Sequence, residues 1–95
     1  MGIDYAATLV FGLWFDDVPE NIKQDYENLQ LEMVPTYYDA PNKDCILGKI
    51  VYISEDYSAL EIDYNAIADD IREAREEFEN ICNMNGNLYL ATYGC

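Results

Sequence analysis

The residues of this chain that could do chemistry are its 19 Asp and Glu. Asp16-Asp17 and Asp69-Asp70 are adjacent pairs, and Glu73, Glu76, Glu77 and Glu79 follow the second pair closely. Two carboxylates across a cleft can divide acid and base work, as in glycoside hydrolysis, and adjacent aspartates can hold Mg²⁺ or Ca²⁺ weakly. With so many acids, however, close pairs arise by chance, and the sequence contains no EF-hand-type calcium loop. There is no histidine, so the usual base near neutral pH and the commonest metal ligand are both missing. Neither GxGxxG nor GxxxxGK occurs, and Ser54 and Ser58 have no imidazole to activate them. No catalytic residue, cofactor or metal site is expected. The chain does not read as an enzyme.

The elements that carry these acids are organised around Tyr5–Phe15, YAATLVFGLWF, a run without a charge in a chain that is 25% charged. Its β-branched and aromatic content favours an extended strand. Alternation puts Leu9, Phe11, Leu13 and Phe15 on one face and Thr8, Val10, Gly12 and Trp14 on the other. Such a strand belongs in the middle of a sheet. Val18, Ile22, Tyr26, Leu29 and Met33 then form a helical stripe that Pro35 ends, with Asp17, Pro19 and Glu20 as its start. Residues 45–54 alternate as a second strand, in which Lys49 suits a sheet edge. A turn at 55–58 would join it to a third strand at 59–64. Asn65 is placed to cap a helix whose apolar face is Ile67, Ile71, Ala74, Phe78 and Ile81, stopped by Asn85-Gly86. Asn87–Tyr93 is the last strand. The expected architecture is one α+β domain over residues 1–95. It is a four-stranded antiparallel sheet with both helices on one face, in the order β-α-β-β-α-β, which is the ferredoxin-like arrangement.

Three cysteines, Cys45, Cys82 and Cys95, are odd in number and lack metal-type spacing. They read as reduced thiols. With no membrane-length apolar run, they predict a cytoplasmic protein.

Charge is the strongest functional signal. The formal net charge is −14, beyond the magnitude of roughly 2–8 that keeps a small domain soluble. Direct binding to nucleic acid or an anionic membrane is disfavoured, and a basic partner is favoured. RNA-recognition domains share the expected element order, but the third strand, SALEIDY, lacks their basic and aromatic pattern and would turn Glu61 and Asp63 toward the bases. That reading is rejected.

The excess is concentrated. Asp16, Asp17, Glu20, Asp25 and Glu27 lie in the first helix region, and Asp69, Asp70, Glu73, Glu76, Glu77 and Glu79 fall within eleven residues of the second. The latter amounts to one carboxylate per about 2.7 Å of helix axis, against one phosphate per about 1.7 Å of duplex DNA. Part of this is an ordinary salt-bridged surface, since Arg72 can pair with Asp69 and Glu76, and Arg75 with Glu79. The excess recurs on the first helix region, where Lys23 is the one base.

In size and charge, and in the acidic runs DDVPENIKQDYE and DDIREAREEFE, the chain resembles small phage-encoded proteins that block host restriction or CRISPR systems by imitating nucleic acid. The resemblance implies a stoichiometric inhibitor whose carboxylates occupy the Lys/Arg channel of a basic nucleic-acid-binding protein. It rests on bulk properties and carries over no family residues. A competing expectation uses the uncharged sheet face: Thr8, Val10 and Trp14 with Tyr89 and Tyr93 would meet a second copy, another protein or a small ligand, and the acidity would serve solubility alone.

Overall fold

The structure, a computed structural model, describes residues 5–55 and 61–94. The opening apolar run forms strand β1, Tyr5–Trp14, and a single 3-10 turn at Phe15–Asp17 follows it. A six-residue helix α1, Glu20–Asp25, and a short strand β2, Glu32–Pro35, come next. A second 3-10 turn, Asn42–Asp44, leads into β3, Cys45–Glu55. The long helix α2, Tyr64–Cys82, and strand β4, Asn87–Gly94, complete the described chain. The strands form one antiparallel sheet in the order β2-β3-β1-β4. β1 is central, as its composition demands.

Both helices pack on one sheet face. Phe11 and Leu13 of β1 and Leu47 of β3 meet Ala74, Phe78 and Cys82 of α2 in a core that also holds Val18, Ile22 and Leu31. Phe78 is fully buried, and its ring stands edge-on to that of Phe11 at 5.9 Å. A smaller cluster, Val10, Val34, Ile46 and Ala91, lies on the opposite face beneath Ile50 and Tyr89. β1 and β3 slip in register between Leu9, opposite Tyr52, and Val10, opposite Ile50. The extra residue, Val51, packs against the helix-side core.

The expected element order needs correction. The helix expected across the stripe from Val18 to Met33 stops early, so the chain runs in effect β-β-β-α-β around one long helix. Gln30 takes a left-handed backbone, φ 63°. The Leu31 amide donates back to the Tyr26 carbonyl at 2.9 Å, and the Gln30 amide donates to that of Glu27 at 3.1 Å. This is a Schellman reversal built without glycine. Beyond it, Met33 and Val34 alternate across the sheet opposite Leu47 and Ile46. A helical spacing of apolar residues was compatible with both outcomes, and the unpaired edge of β3 selected the strand. β3 is consequently internal along Cys45–Gly48, and Lys49 falls just past the end of its pairing with β2.

The hairpin expected between 45–54 and 59–64 is also corrected. Residues 61–63 pair with no strand and Tyr64 opens α2, while residues 56–60 lie outside the described chain. Asp63, not Asn65, is the cap of α2: its carboxylate accepts from the amides of Asn65 at 3.0 Å and Ala66 at 3.2 Å. An anion at that end also meets the positive pole of the helix dipole. The helix stops at Asn83, left-handed at φ 54°, two residues before the expected Asn85-Gly86. Among the described residues, no helix is long and apolar enough to cross a membrane.

β1 and β3 are in close contact where Gly12 lies opposite Gly48. A Cβ on Gly12 would run into the Leu47 carbonyl, and one on Gly48 into the Phe11 carbonyl. The obstacle is the backbone of a fully paired neighbour, which cannot swing aside. Gly12→Ala is therefore expected to cost roughly 3 kcal/mol, measured as a lower urea midpoint at unchanged slope. A midpoint equal to that of the unmutated protein would show that the strands part there freely.

Candidate functional site: an acidic groove beside the long helix

The residues α2 buries fix which ones it exposes. Ala74, Phe78 and Cys82, spaced by four, point into the core, so Asp69, Asp70, Glu73, Glu76 and Glu77 are exposed. Three of them do not stand alone. Asp70, Glu73 and Glu77 form one wall of an open groove of about 410 Å³, and Gln30, Glu32, Lys49 and Val51 line its other side. Glu32 is brought there by the short strand β2, the element that replaced the second half of the expected helix. Lys49 is the one base in the groove. Its ammonium meets the Glu77 carboxylate at 3.1 Å and donates to the Gln30 carbonyl at 3.1 Å. Three carboxylates, Glu32, Asp70 and Glu73, remain without an ion pair among the described residues.

The other ion pairs leave this excess intact. Arg72 pairs with Asp69 at 3.1 Å and Arg75 with Glu79 at 3.4 Å, while Glu76 has no ion-pair partner among the described residues. Lys23 reaches Glu20 at 3.8 Å and lies over the Phe15 ring. Exposed pairs of this kind are worth roughly 0–1 kcal/mol. They leave the net charge of −14 unchanged, because every base is already counted in it.

Asp16, Asp17, Glu20, Asp25 and Glu27 are exposed along the 3-10 turn, α1 and the turn after it, and they do not line the groove. Asp25 accepts from the Asn28 side chain at 2.7 Å. The acidic residues expected to act together thus divide into two strips: Asp70, Glu73 and Glu77 line the groove beside α2, while Asp25 and Glu27 line a separate, smaller concavity of about 200 Å³ with Gln24, Tyr26 and Asn28. Reading the sequence missed Glu32, Gln30 and Lys49 as members of one site. Lys49, the one base of β3, in a strand whose remaining charge is the terminal Glu55, was the available signal.

The uncharged sheet face is less open than its composition suggested. Val10 is 0% exposed and Thr8 8%, so neither presents a surface in this chain. Trp14 is exposed and stands edge-on to half-buried Tyr89 at 6.0 Å. Tyr93 belongs to β4 with its backbone opposite Ala6, and its side chain lies outside the described set.

The thiols are shielded. Cys45 and Cys82 are both buried and unpaired, and burial pushes both above the usual thiol range. Cys45 also feels Asp44, and its Sγ donates to the Pro41 carbonyl at 3.4 Å. Low-pKa nucleophilic cysteines have the opposite surroundings. The Tyr37 hydroxyl donates to Asp44, which raises its pKa, and desolvation raises that of Tyr26. Among the described residues, no group of three or more His, Cys, Asp or Glu side chains is placed to hold a metal ion.

No protein-family model matches the chain, and no curated protein and no solved structure is significantly similar to it.

The raised thiols and phenols make stability depend on alkaline pH. A group whose acidic form is favoured in the fold contributes stability that is fully present below its unfolded pKa. That contribution is lost as pH rises through the folded one. Urea midpoints should therefore be flat around neutral pH. They should fall above the ordinary thiol value of 9.0 and further above the phenol value of 10.0. Cys82→Ala should flatten the first part of the decline, and a midpoint that rises with alkaline pH would contradict the assignment.

Proposed function

We propose that the protein is a non-enzymatic acidic inhibitor. It binds a basic nucleic-acid-binding protein, of the restriction or CRISPR-type nuclease class, in the cytoplasm where that partner works, and blocks nucleic-acid access by charge mimicry. The observation that carries the proposal is the groove beside α2, lined by Glu32, Asp70 and Glu73, which have no ion pair among the described residues, while its single base, Lys49, is engaged by Glu77. Carboxylates three or four residues apart on a helix have Cβ atoms about 5–6 Å apart, a spacing close to that of neighbouring phosphates. An exposed Lys/Arg channel shaped for a phosphate backbone could accept that row as a substitute. The strand order β2-β3-β1-β4, antiparallel throughout with both helices on one face, supports a ferredoxin-like fold whose first crossover has shrunk to α1. That scaffold leaves the carboxylate side of α2 facing solvent.

The test is displacement of labelled duplex from purified restriction and CRISPR-type nucleases. Binding should be strong at low salt and weaken steeply as salt rises. The triple variant Asp70→Asn, Glu73→Gln, Glu76→Gln should lose affinity on the order of tenfold or more, while its urea midpoint stays close to that of the unmutated chain. Failure to displace nucleic acid at low salt from any such protein would end the proposal.

A further inference from the structure

β4 is an outer strand. Among the described residues it pairs with β1 alone, and β2 comes close to it without forming a ladder, so one of its edges offers unpaired backbone donors and acceptors. Proteins usually blunt such an edge with lysine, proline, inward-pointing charge or a bulge. Asn87–Gly94 has no charge and no proline, and its pairing with β1 runs in continuous register from Tyr5–Gly94 to Gly12–Asn87. α2 lies over β3 and β1 and leaves the helix-side residues of β4 open. Leu90 is 65% exposed and Leu88 44%, each directly opposite a β1 residue of the same face, Leu9 and Phe11.

We infer that β4 is a self-association edge, on which a second copy of this chain adds its own β4 antiparallel to make one eight-stranded sheet. Charge selects the occupant. Two copies of net charge −14 repel wherever carboxylates face each other. Residues 80–95, which include β4, contain no Asp, Glu, Lys or Arg. A basic partner finds no carboxylate on this edge, whereas an identical strand finds a neutral surface and a self-complementary ladder. Directly opposed residues share a face. A register that sets Leu88 against Leu90 of the copy covers both leucines of each chain and places Tyr89 against its counterpart on the other face. A single strand edge falls in the small interface class, roughly under 1,200 Å², so the dimer is reversible and concentration-dependent. Salt acts on it in the opposite sense to mimic binding, because screening relieves the repulsion between copies.

Sedimentation over a wide concentration range at two salt levels tests this. The sedimenting mass should double toward high concentration, at lower concentration when salt is high. Leu90→Lys, at an exposed position, should remain at monomer mass throughout. In the unmutated chain, the β4 amides that point away from β1 should gain hydrogen-exchange protection with concentration, a readout that does not require the variant to fold. Monomer mass under every condition overturns the inference. So does a dimer whose outward β4 amides exchange as fast as in the monomer, or protection of those amides that appears only when a different protein is added.

Discussion

The contact between Phe11 and Phe78 ties the sheet to the long helix. Phe11 sits on a strand paired on both sides, and Phe78 sits at the middle of the one face that α2 buries. Full burial of such a ring is worth about 1.5–3 kcal/mol, and the edge-on geometry adds about 0.5–1.5 kcal/mol. Against a total stability of order 5–15 kcal/mol for a domain, that is a large share. The chain also turns over this pair on its way into β4: a Cβ on Gly86 would approach Phe78 to 2.8 Å and Phe11 to 2.9 Å. Gly86 is therefore needed for close passage over two aromatic rings. The helix stop expected of it is made by Asn83 instead.

Once that contact orients α2, the distribution of charge follows. The face bearing Ala74, Phe78 and Cys82 turns inward, and the carboxylates stay in water, where they avoid the desolvation that buried charges suffer. Their mutual repulsion remains, and it weakens the compact state. The structure adds Glu32 to this side. β1 and residues 80–95 contain no Asp, Glu, Lys or Arg. The result is a molecule with a carboxylate groove along α2 and a neutral strand at the far edge of the sheet. These two surfaces suit partners of opposite kinds.

Legibility varied with the strength of the local pattern. β1, β3, α2 and β4 were readable because their apolar spacing admits one period over a long span. The segment 18–35 was not, because Val18, Ile22, Tyr26 and Leu29 suit a helix whether it runs one turn or four. What reverses the chain after α1 and the turns that follow it is a left-handed Gln30, a residue type with no special preference for that conformation. The carboxylates of α2 were visible as a row. Their convergence with Glu32 and Lys49 was not, because it depends on where β2 lands. Thr8 and Val10 looked open because no helix was expected over them; Val10 lies within a second small cluster with Val34, Ile46 and Ala91, against which Ile50 and Tyr89 pack.

By itself, the sequence determined that this is an acidic α+β chain with an uncharged central strand and one strongly amphipathic helix. Each of these follows from composition or from a short-range period, which local steric and hydrophobic preferences decide without reference to the rest of the chain. Tertiary structure decided which segment fills the second edge of the sheet, which carboxylates share a groove, and that β4 is left with an open side. Those outcomes depend on competition among distant segments for the same hydrogen-bonding edges and the same apolar faces. Here the unpaired edge of β3 drew in Glu32–Pro35, and the cap at Asp63 committed the following residues to helix.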